Sequence, residues 1–360
     1  VPAVHMSSWY DPYSQTAIDN FTALAPIKRG PIKLVLGPWT HGQRSVTSSG
    51  DVDFGADAVL DGQVGPDYFT LRRDWFDRHM LGRDAAPEHL PAPVRIFVMG
   101  GGSGRRTAEG RLDHGGRWRD EAAWPLPHAR DVAMYLHGDG GLRSALPAAD
   151  VAPLSYDFDP ADPVPTIGGA IASGAPVMFA GGYDQRETET LFGARHPGRA
   201  LADRADVLVF ETEPLARDVE VTGNVVAHLH IASSAVDTDF TIKLVDVYPP
   251  NSDYPQGYAL NLAHGILRAR FRNSFEHPQP LEPGKVHALT VRAFPTSNLF
   301  RAGHRIRIEV SSSNFPHFDV NPNSDWRVAD APPVVARNSV FVDRDHPSCV
   351  ALPIVADTEG

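Results

Sequence analysis

The sequence has little cysteine and no long apolar run. Cys349 is the single cysteine among 360 residues, which excludes a framework of intramolecular disulfides and a zinc site built from cysteines. No apolar run reaches the roughly 18 residues of a membrane-spanning helix, and the chain opens without a secretory signal. We therefore expect no membrane association, while the compartment stays open, with the cytoplasm as the default.

Positive charge is also in short supply. The chain has 33 Lys and Arg against 44 Asp and Glu, for a net charge of −11. A nucleic-acid-binding protein needs clustered cations to neutralise phosphates, so this class is excluded. At roughly 150 residues per domain, the length suggests two or three domains.

Residues 1–90 have an alternating strand and helix pattern. Val1–Met6 and Pro31–Leu36 are short apolar runs typical of buried parallel strands. Between them, Ser14–Leu24 has the apolar spacing of an amphipathic helix, and Asp67–Met80 predicts a second helix. One side of that second helix is predicted to carry Phe69, Arg73, Phe76 and Met80.

From residue 91 to residue 360 the pattern changes to many short strands separated by Gly, Pro, Asn and Asp. No amphipathic helix is predicted there, which favours an all-β sandwich, plausibly a jelly roll. The Pro-rich segment Ala85–Pro93 marks the expected boundary between a domain of residues 1–90 and a domain of residues 91–360.

Two polar residues follow the two predicted strands of the first domain. Asp11 lies in the turn after the first strand, and His41 lies just past the second. Functional groups of open α/β sheets sit beyond the carboxyl ends of strands, and acid followed by histidine is the triad order of α/β-hydrolases. Two simpler readings remain open, because Asp is a common helix N-cap and a single His is commonly a surface residue.

The nucleophile of such a triad is missing from the sequence. No G-x-S-x-G motif occurs, and Ser103 within Gly100–Gly104 is followed by two arginines rather than by a helix. We interpret this glycine-rich segment as a turn between strands.

Several segments together resemble the CocE/NonD hydrolases, the group of cocaine esterase, α-amino-acid ester hydrolases, glutaryl acylases and X-prolyl dipeptidyl peptidases. The resemblance begins with SSWYDPY (7–13) and LVLGPWTHG (34–42) and covers nearly the whole chain. The other segments are WPLP (124–127), DPADPVPTIGG (159–169), ADVLVFETEPLARDVEVTGNV (205–225), DTDFTIKLVDVYP (237–249), GILRARFR (265–272) and SSSNFPHFDVNPNS (311–324). It implies the C-terminal part of an α/β-hydrolase domain followed by a jelly-roll domain of galactose-binding-like type.

The resemblance also implies roles for individual residues. Asp11 would be the triad acid and His41 the general base, while the serine, the oxyanion-hole tyrosine and a helical cap domain would lie upstream, outside this chain. Tyr13 matches an aromatic position of the acyl pocket. Thr166–Ile171, with Gly169 and Ile171, matches a loop at the mouth of the site.

Two departures from the family pattern bear on specificity. Ser7 and Ser8 replace a frequent Gly-Gly, which we expect to be tolerated because both residues are small. Pro12 and Tyr13 stand where α-amino-acid ester hydrolases look to carry extra acids, which argues against an amino-ester substrate. Trp9 is expected to form an aromatic wall of the site or to pack behind it.

No cofactor and no metal is expected. His228 and His230 share one face of a predicted strand without a third ligand, and Asp237 and Asp239 lack a calcium-loop pattern.

We expect this chain to be part of a serine hydrolase that cleaves a small ester or amide and to be inactive without its serine. The alternatives are a non-catalytic carbohydrate- or ligand-binding module or regulatory subunit, and a serine supplied by a separate chain. A homo-oligomer is also possible.

Overall fold

A computed structural model describes residues 2–83, 87–172 and 174–356. Val1 and part of the expected boundary Ala85–Pro93 lie outside the described residues. The chain opens with strand β1 (Ala3–Tyr10), helix α1 (Ser14–Leu24) and strand β2 (Ile32–Thr40). The strands pair in parallel, with Ala3 opposite Ile32, and α1 buries Ile18 and Phe21. The predicted strand–helix–strand unit is therefore confirmed.

Both strands run four residues beyond their predicted ends. Residues 7–10 of β1 and residues 37–39 of β2 are buried, so the ladder continues past the purely apolar stretch. Because of this extension, both strands end at the same edge of the sheet, where Asp11 and His41 follow them.

The rest of the described chain is dominated by short strands. The strands are β3 (Ser48–Ser49), β4 (Val52–Asp53), β5 (Val94–Met99), β6 (Leu112–Asp113), β7 (Gly116–Glu121), β8 (Ala129–Leu136), β9 (Leu142–Arg143), β10 (Leu154–Phe158), β11 (Leu208–Glu211), β12 (Val219–Gly223), β13 (Val226–Ser233), β14 (Asp239–Tyr248), β15 (Tyr258–Arg268), β16 (His287–Arg292), β17 (Thr296–Phe300), β18 (Arg305–Ser311), β19 (Ala336–Val340) and β20 (Cys349–Val355). The helices are α2 (Tyr68–Met80) and three short 3₁₀ turns at Ala56–Ala58, Leu201–Asp203 and Ala269–Phe271. Within the described residues no α-helix follows Met80, as the sequence predicts.

The largest sheet has 13 strands and begins at β1. Its main path runs β1-β2-β5-β17-β12-β20-β13-β19-β10. Strand β5, on the sandwich side of the predicted boundary, pairs in parallel with β2 and antiparallel with β7. Hydrogen-bonded pairing is therefore continuous across that boundary, and the division at residue 90 stays a prediction.

A four-stranded sheet, β11-β18-β14-β15, completes a β-sandwich with the large sheet. One core cluster joins the layers, because Phe240 and Ile308 of the small sheet pack in it with Leu229 and Phe300 of the large one. The same cluster includes Trp9, at the end of β1. The β-sandwich is confirmed, and its assignment as a jelly roll stays a prediction.

Helix α2 is anchored by a side different from its apolar one. Asp67 caps it by accepting a hydrogen bond from the Thr70 amide at 2.8 Å, and Leu71 and Asp74 are its buried residues. Asp74 is 5% exposed, and its carboxylate pairs with His89 and with Arg73, which compensates its burial. The side on which the sequence groups apolar residues faces outward, with Phe69, Phe76 and Met80 exposed at 75%, 52% and 61%.

Candidate active site

Asp11 and His41 come together at the carboxyl ends of β1 and β2. His41 Nδ1 lies 3.1 Å from Asp11 Oδ2, and the Asp11 side chain is 6% exposed. Asp11 Oδ1 accepts a hydrogen bond from the Tyr13 amide at 3.0 Å. The reading of Asp11 as the N-cap of α1 is wrong, because the cap position is Tyr13 and no side chain caps the helix. One oxygen of Asp11 instead forms the turn that leads into α1, and the other holds the imidazole.

The second ring nitrogen of His41 is available. The His41 side chain is 47% exposed, and within the described chain only its Nδ1 has a hydrogen-bond partner. Tyr13, itself 54% exposed, places its ring edge-on to the imidazole, with centroids 5.1 Å apart. A histidine bound through Nδ1 to a carboxylate keeps Nε2 free to take a proton from a nucleophile. No serine hydroxyl bonds to His41 within residues 2–83, 87–172 and 174–356.

The two tryptophans near the pair belong to the core rather than to a wall of the site. Trp9 and Trp39 are 0% and 1% exposed. The Trp9 indole donates to the Phe97 carbonyl at 2.7 Å, and the Trp39 indole donates to the Ala58 carbonyl at 2.7 Å. Of the two readings of Trp9, the structure therefore places it behind the site, because its surface is enclosed by packing.

The predicted mouth loop, Thr166–Ile171, packs against the sandwich. Gly169 forms a bridge with Gly181 and lies close to His264 of β15, where an added Cβ would come within 2.7 Å of the imidazole. Ile171 is 2% exposed. The beginning of the loop, Thr166 to Gly168, lines an open cleft with a volume of about 430 Å³. The roles of Gly169 and Ile171 in binding substrate stay predictions.

Of the two paired motifs considered as metal ligands, the aspartate pair is bound by other residues. His228 and His230 lie on β13, and the described residues contain no group of three or more potential metal ligands. Asp237 and Asp239 are 0% and 2% exposed, and burial raises the pKa of both carboxyls. They pair with arginines from the GILRARFR segment, Asp237 with Arg270 at 3.1 Å and Asp239 with Arg268 at 3.0 Å, while Asn321 donates to both.

One buried polar network went unnoticed in the sequence. His114 is fully buried and contacts the Tyr248 hydroxyl and Asn298 Oδ1, while His304 bonds to Asp246 Oδ1 at 2.8 Å. Its members come from positions up to 190 residues apart, so no local spacing indicates it.

In the part of the chain that is described, no helix is long and apolar enough to cross a membrane.

The β-sandwich and the parallel unit that carries an Asp–His pair have counterparts among known hydrolases. Residues 89–351 match the family model described as the X-Pro dipeptidyl-peptidase C-terminal non-catalytic domain. The chain belongs to this family.

Among curated proteins, the chain is similar to cocaine esterase from Rhodococcus sp. (strain MB1 Bresler). The two are 35% identical over 365 residues, which cover 98% of this chain and 56% of the esterase. The resemblance to the CocE/NonD hydrolases is confirmed.

Two solved structures are similar over nearly the whole chain. An aminopeptidase from a marine sediment Thaumarchaeota archaeon has a TM-score of 0.76 at 29% identity and is matched over 99% of this chain and 55% of its own. An α-amino acid ester hydrolase has a TM-score of 0.77 at 29% identity, with 98% and 55% covered. The chain thus spans about half the length of these relatives, which are hydrolases.

Proposed function

We propose that Asp11 and His41 are the acid and the general base of a Ser-His-Asp hydrolase that cleaves an ester or amide bond. The observation that carries this proposal is the 3.1 Å contact between Asp11 Oδ2 and His41 Nδ1 where two parallel strands end. The carboxylate fixes the imidazole tautomer. His41 Nε2 then takes the proton of a serine that attacks the carbonyl, and returns it to the leaving group.

The serine is supplied by a hydrolase segment that lies outside this chain. Two features of the described surface support such a partner. Strand β1 is at the end of the 13-stranded sheet and has β2 as its one neighbour there, so its other edge offers free backbone groups. Beside it, Ala3, Val4 and Met6 line a cleft of about 310 Å³ together with Leu71 and Phe76 of α2. A further parallel strand and its helix would cover both.

Labelling with a fluorophosphonate tests this assignment, since the reagent reacts with activated serines. We expect the isolated chain to stay unlabelled and to hydrolyse p-nitrophenyl acetate no faster than its His41→Gln variant. A fusion to the N-terminal half of the Rhodococcus esterase should acquire one label and esterase activity. Because triad members act as a unit, Asp11→Asn and His41→Gln in that fusion should each lower kcat by about 10⁴-fold or more.

A matched variant separates catalysis from folding. Gln43, exposed and two residues past His41, is replaced by Ala, and the fusion should keep its activity. Stoichiometric labelling of the isolated chain would show that a serine of this sequence is activated. A fusion that is labelled yet insensitive to His41→Gln would show that His41 is not the base.

A second candidate, a non-catalytic binding module, is favoured by the description of the family that matches residues 89–351. In this reading the sandwich binds a carbohydrate or another ligand and the Asp–His pair is idle. A glycan array distinguishes the candidates, because reproducible saccharide binding by the isolated chain supports the module and its absence removes the carbohydrate reading.

A further inference from the structure

A cleft of about 480 Å³ lies between helix α1 and the strands of the sandwich. This volume is in the range of small-molecule sites, roughly 300–1,000 Å³. Gln15 and Asp19 of α1 line one side. His264 of β15 and Arg292 at the end of β16 line the other, together with Phe294 and other residues.

Two polar side chains in the wall of this cleft lack hydrogen-bond partners. His264 is 5% exposed, and its Nε2 is buried without a partner in the described chain; the same holds for Asn224 Oδ1. Buried polar atoms are nearly always paired, and an unpaired one points to a ligand or water that completes it. Burial, with smaller contributions from His317 and Lys243, holds the pKa of His264 well below its usual value, so this imidazole is neutral.

The cleft contains two charged side chains, Arg292 and Asp19, which differ in their hydrogen bonds. Arg292 is exposed, and its side chain makes no hydrogen bond or ion pair with any described residue. Asp19 is also exposed, but one of its oxygens accepts a hydrogen bond from Gln15 Nε2 at 2.7 Å. Within the described residues, neither charge has an ion-pair partner, and the Arg292 side chain also lacks a hydrogen-bond partner. Its planar donors match a carboxylate in a two-pronged geometry.

Two aromatic rings line the same cleft as this guanidinium. Phe294 packs edge-on to the His264 imidazole with ring centroids 5.2 Å apart, and Phe318 lies 5.9 Å from the same ring. Both phenylalanines are only half-buried. They give an apolar surface to a cleft that also contains a cation, a combination that suits a ligand with an aromatic body and an anionic end.

We propose that this cleft binds a small aromatic carboxylic acid. Arg292 pairs with the carboxylate, the ring of the ligand lies against Phe294 and Phe318, and His264 and Asn224 supply hydrogen-bonding groups. This site is built from residues other than Asp11 and His41 and does not depend on the hydrolase proposal.

Calorimetric titration with phenylacetate and with phenylacetamide tests the proposal on the full chain. The two probes have the same ring and nearly the same size but differ in charge. We expect saturable binding of phenylacetate and at least tenfold weaker binding of phenylacetamide. Arg292→Gln should weaken phenylacetate binding by about tenfold or more, the usual effect of losing a hydrogen-bonded charge.

Two further variants act as controls. Arg130→Gln removes an exposed strand arginine of β8, outside the cleft, and should leave the affinity unchanged. Asp19→Asn removes the negative charge of the cleft and should strengthen phenylacetate binding by about twofold at low salt, since like charges near a surface interact weakly.

The binding place is checked with ¹³C-labelled histidine. Phenylacetate should shift the Cε1 resonance of His264, which is identified by its disappearance in His264→Gln. Three results would each overturn the proposal: no saturable binding of phenylacetate, equal binding of phenylacetamide, or unchanged affinity in Arg292→Gln. A bound probe that leaves the His264 resonance unshifted would place the site elsewhere.

Discussion

At the scale of single residues, Asp11 uses its two carboxylate oxygens for two purposes. Oδ1 accepts from the Tyr13 amide and shapes the start of α1, while Oδ2 contacts His41. An asparagine keeps an oxygen for the turn but presents an NH₂ group, which cannot accept a hydrogen bond from the imidazole N–H. Substitutions at this position can therefore separate the structural contribution of the carboxylate from its effect on His41.

We predict that Asp11→Asn lowers the free energy of unfolding by less than about 1 kcal/mol, whereas Asp11→Ala lowers it by about 1–3 kcal/mol because the Tyr13 amide loses its acceptor. Both variants should release the His41 tautomer, seen as a change in its ¹⁵N imidazole shifts. Chemical denaturation measures the stability. Equal losses in the two variants would mean that the turn bond contributes nothing.

Gly169 is a second position where one atom should matter. Its φ is +113°, and a Cβ there would lie 2.7 Å from His264 Cε1. Gly198 is the matched control, since its φ is +92° and nothing lies within 4 Å of an added Cβ. Gly198→Ala should cost about 1 kcal/mol of unfolding free energy for backbone strain, and Gly169→Ala about 1–3 kcal/mol more, since the imidazole must also shift. Similar melting temperatures for the two variants would show that the loop yields without strain.

At the scale of elements, local sequence patterns predicted those structural units whose parts are close together in the sequence. The strand–helix–strand unit follows from two apolar runs around an amphipathic segment, and it places Asp11 and His41 at one sheet edge. The outward side of α2 does not follow, because apolar spacing identifies a helix side without showing what covers it. The buried position of Asp74 depends on His89, 15 residues away, and Asp239 depends on Arg268, 29 residues away. Such pairings exist only once the chain is folded.

Helix α2 offers a contrast between two of its own sides. Replacing Phe69, Phe76 and Met80 together by Gln should change the free energy of unfolding by less than about 0.5 kcal/mol, since all three are exposed. The same variant should reduce self-association of the isolated chain, measured by light scattering, because it removes an exposed apolar patch.

The control on the buried side of α2 is Leu71→Ala. Leu71 is 5% exposed, and its truncation should cost about 2–5 kcal/mol. A large loss of stability in the triple variant, or unchanged scattering, would contradict the view that this side of the helix awaits a partner.

At the scale of the whole molecule, one sheet and one core cluster connect the parallel unit to the sandwich. Strand β5 pairs with β2 on one side and touches β17 on the other, and the cluster contains both Trp9 and Phe240. A change of protonation deep in the sandwich is therefore expected to affect the stability of the entire described fold.

Buried and half-buried histidines make that stability depend on pH. Burial is the main cause that lowers the pKa of His114, His230, His264 and His317 below the ordinary 6.5. As the pH falls below about 6.5, the unfolded chain binds protons that the folded chain does not, so the free energy of unfolding decreases with falling pH. Each fully buried imidazole contributes a slope of up to about 1.4 kcal/mol per pH unit. Asp237 and Asp239, whose raised pKa favours the protonated form, act with the opposite sign.

The contribution of one histidine is found by comparing the wild type with a variant that lacks it. The difference between their slopes of unfolding free energy against pH isolates this histidine, because the carboxyl contributions are the same in both proteins and cancel. We predict that His264→Gln, whatever its stability at pH 8, loses less stability than the wild type between pH 6.5 and pH 5, by up to about 1.4 kcal/mol per unit. His277→Gln, at an exposed position, should follow the wild-type curve. Urea denaturation at half-unit intervals measures both. Parallel curves for the wild type and His264→Gln would mean that His264 takes up a proton in the folded state as readily as in the unfolded one, despite its burial between Gly169, Phe294 and His317.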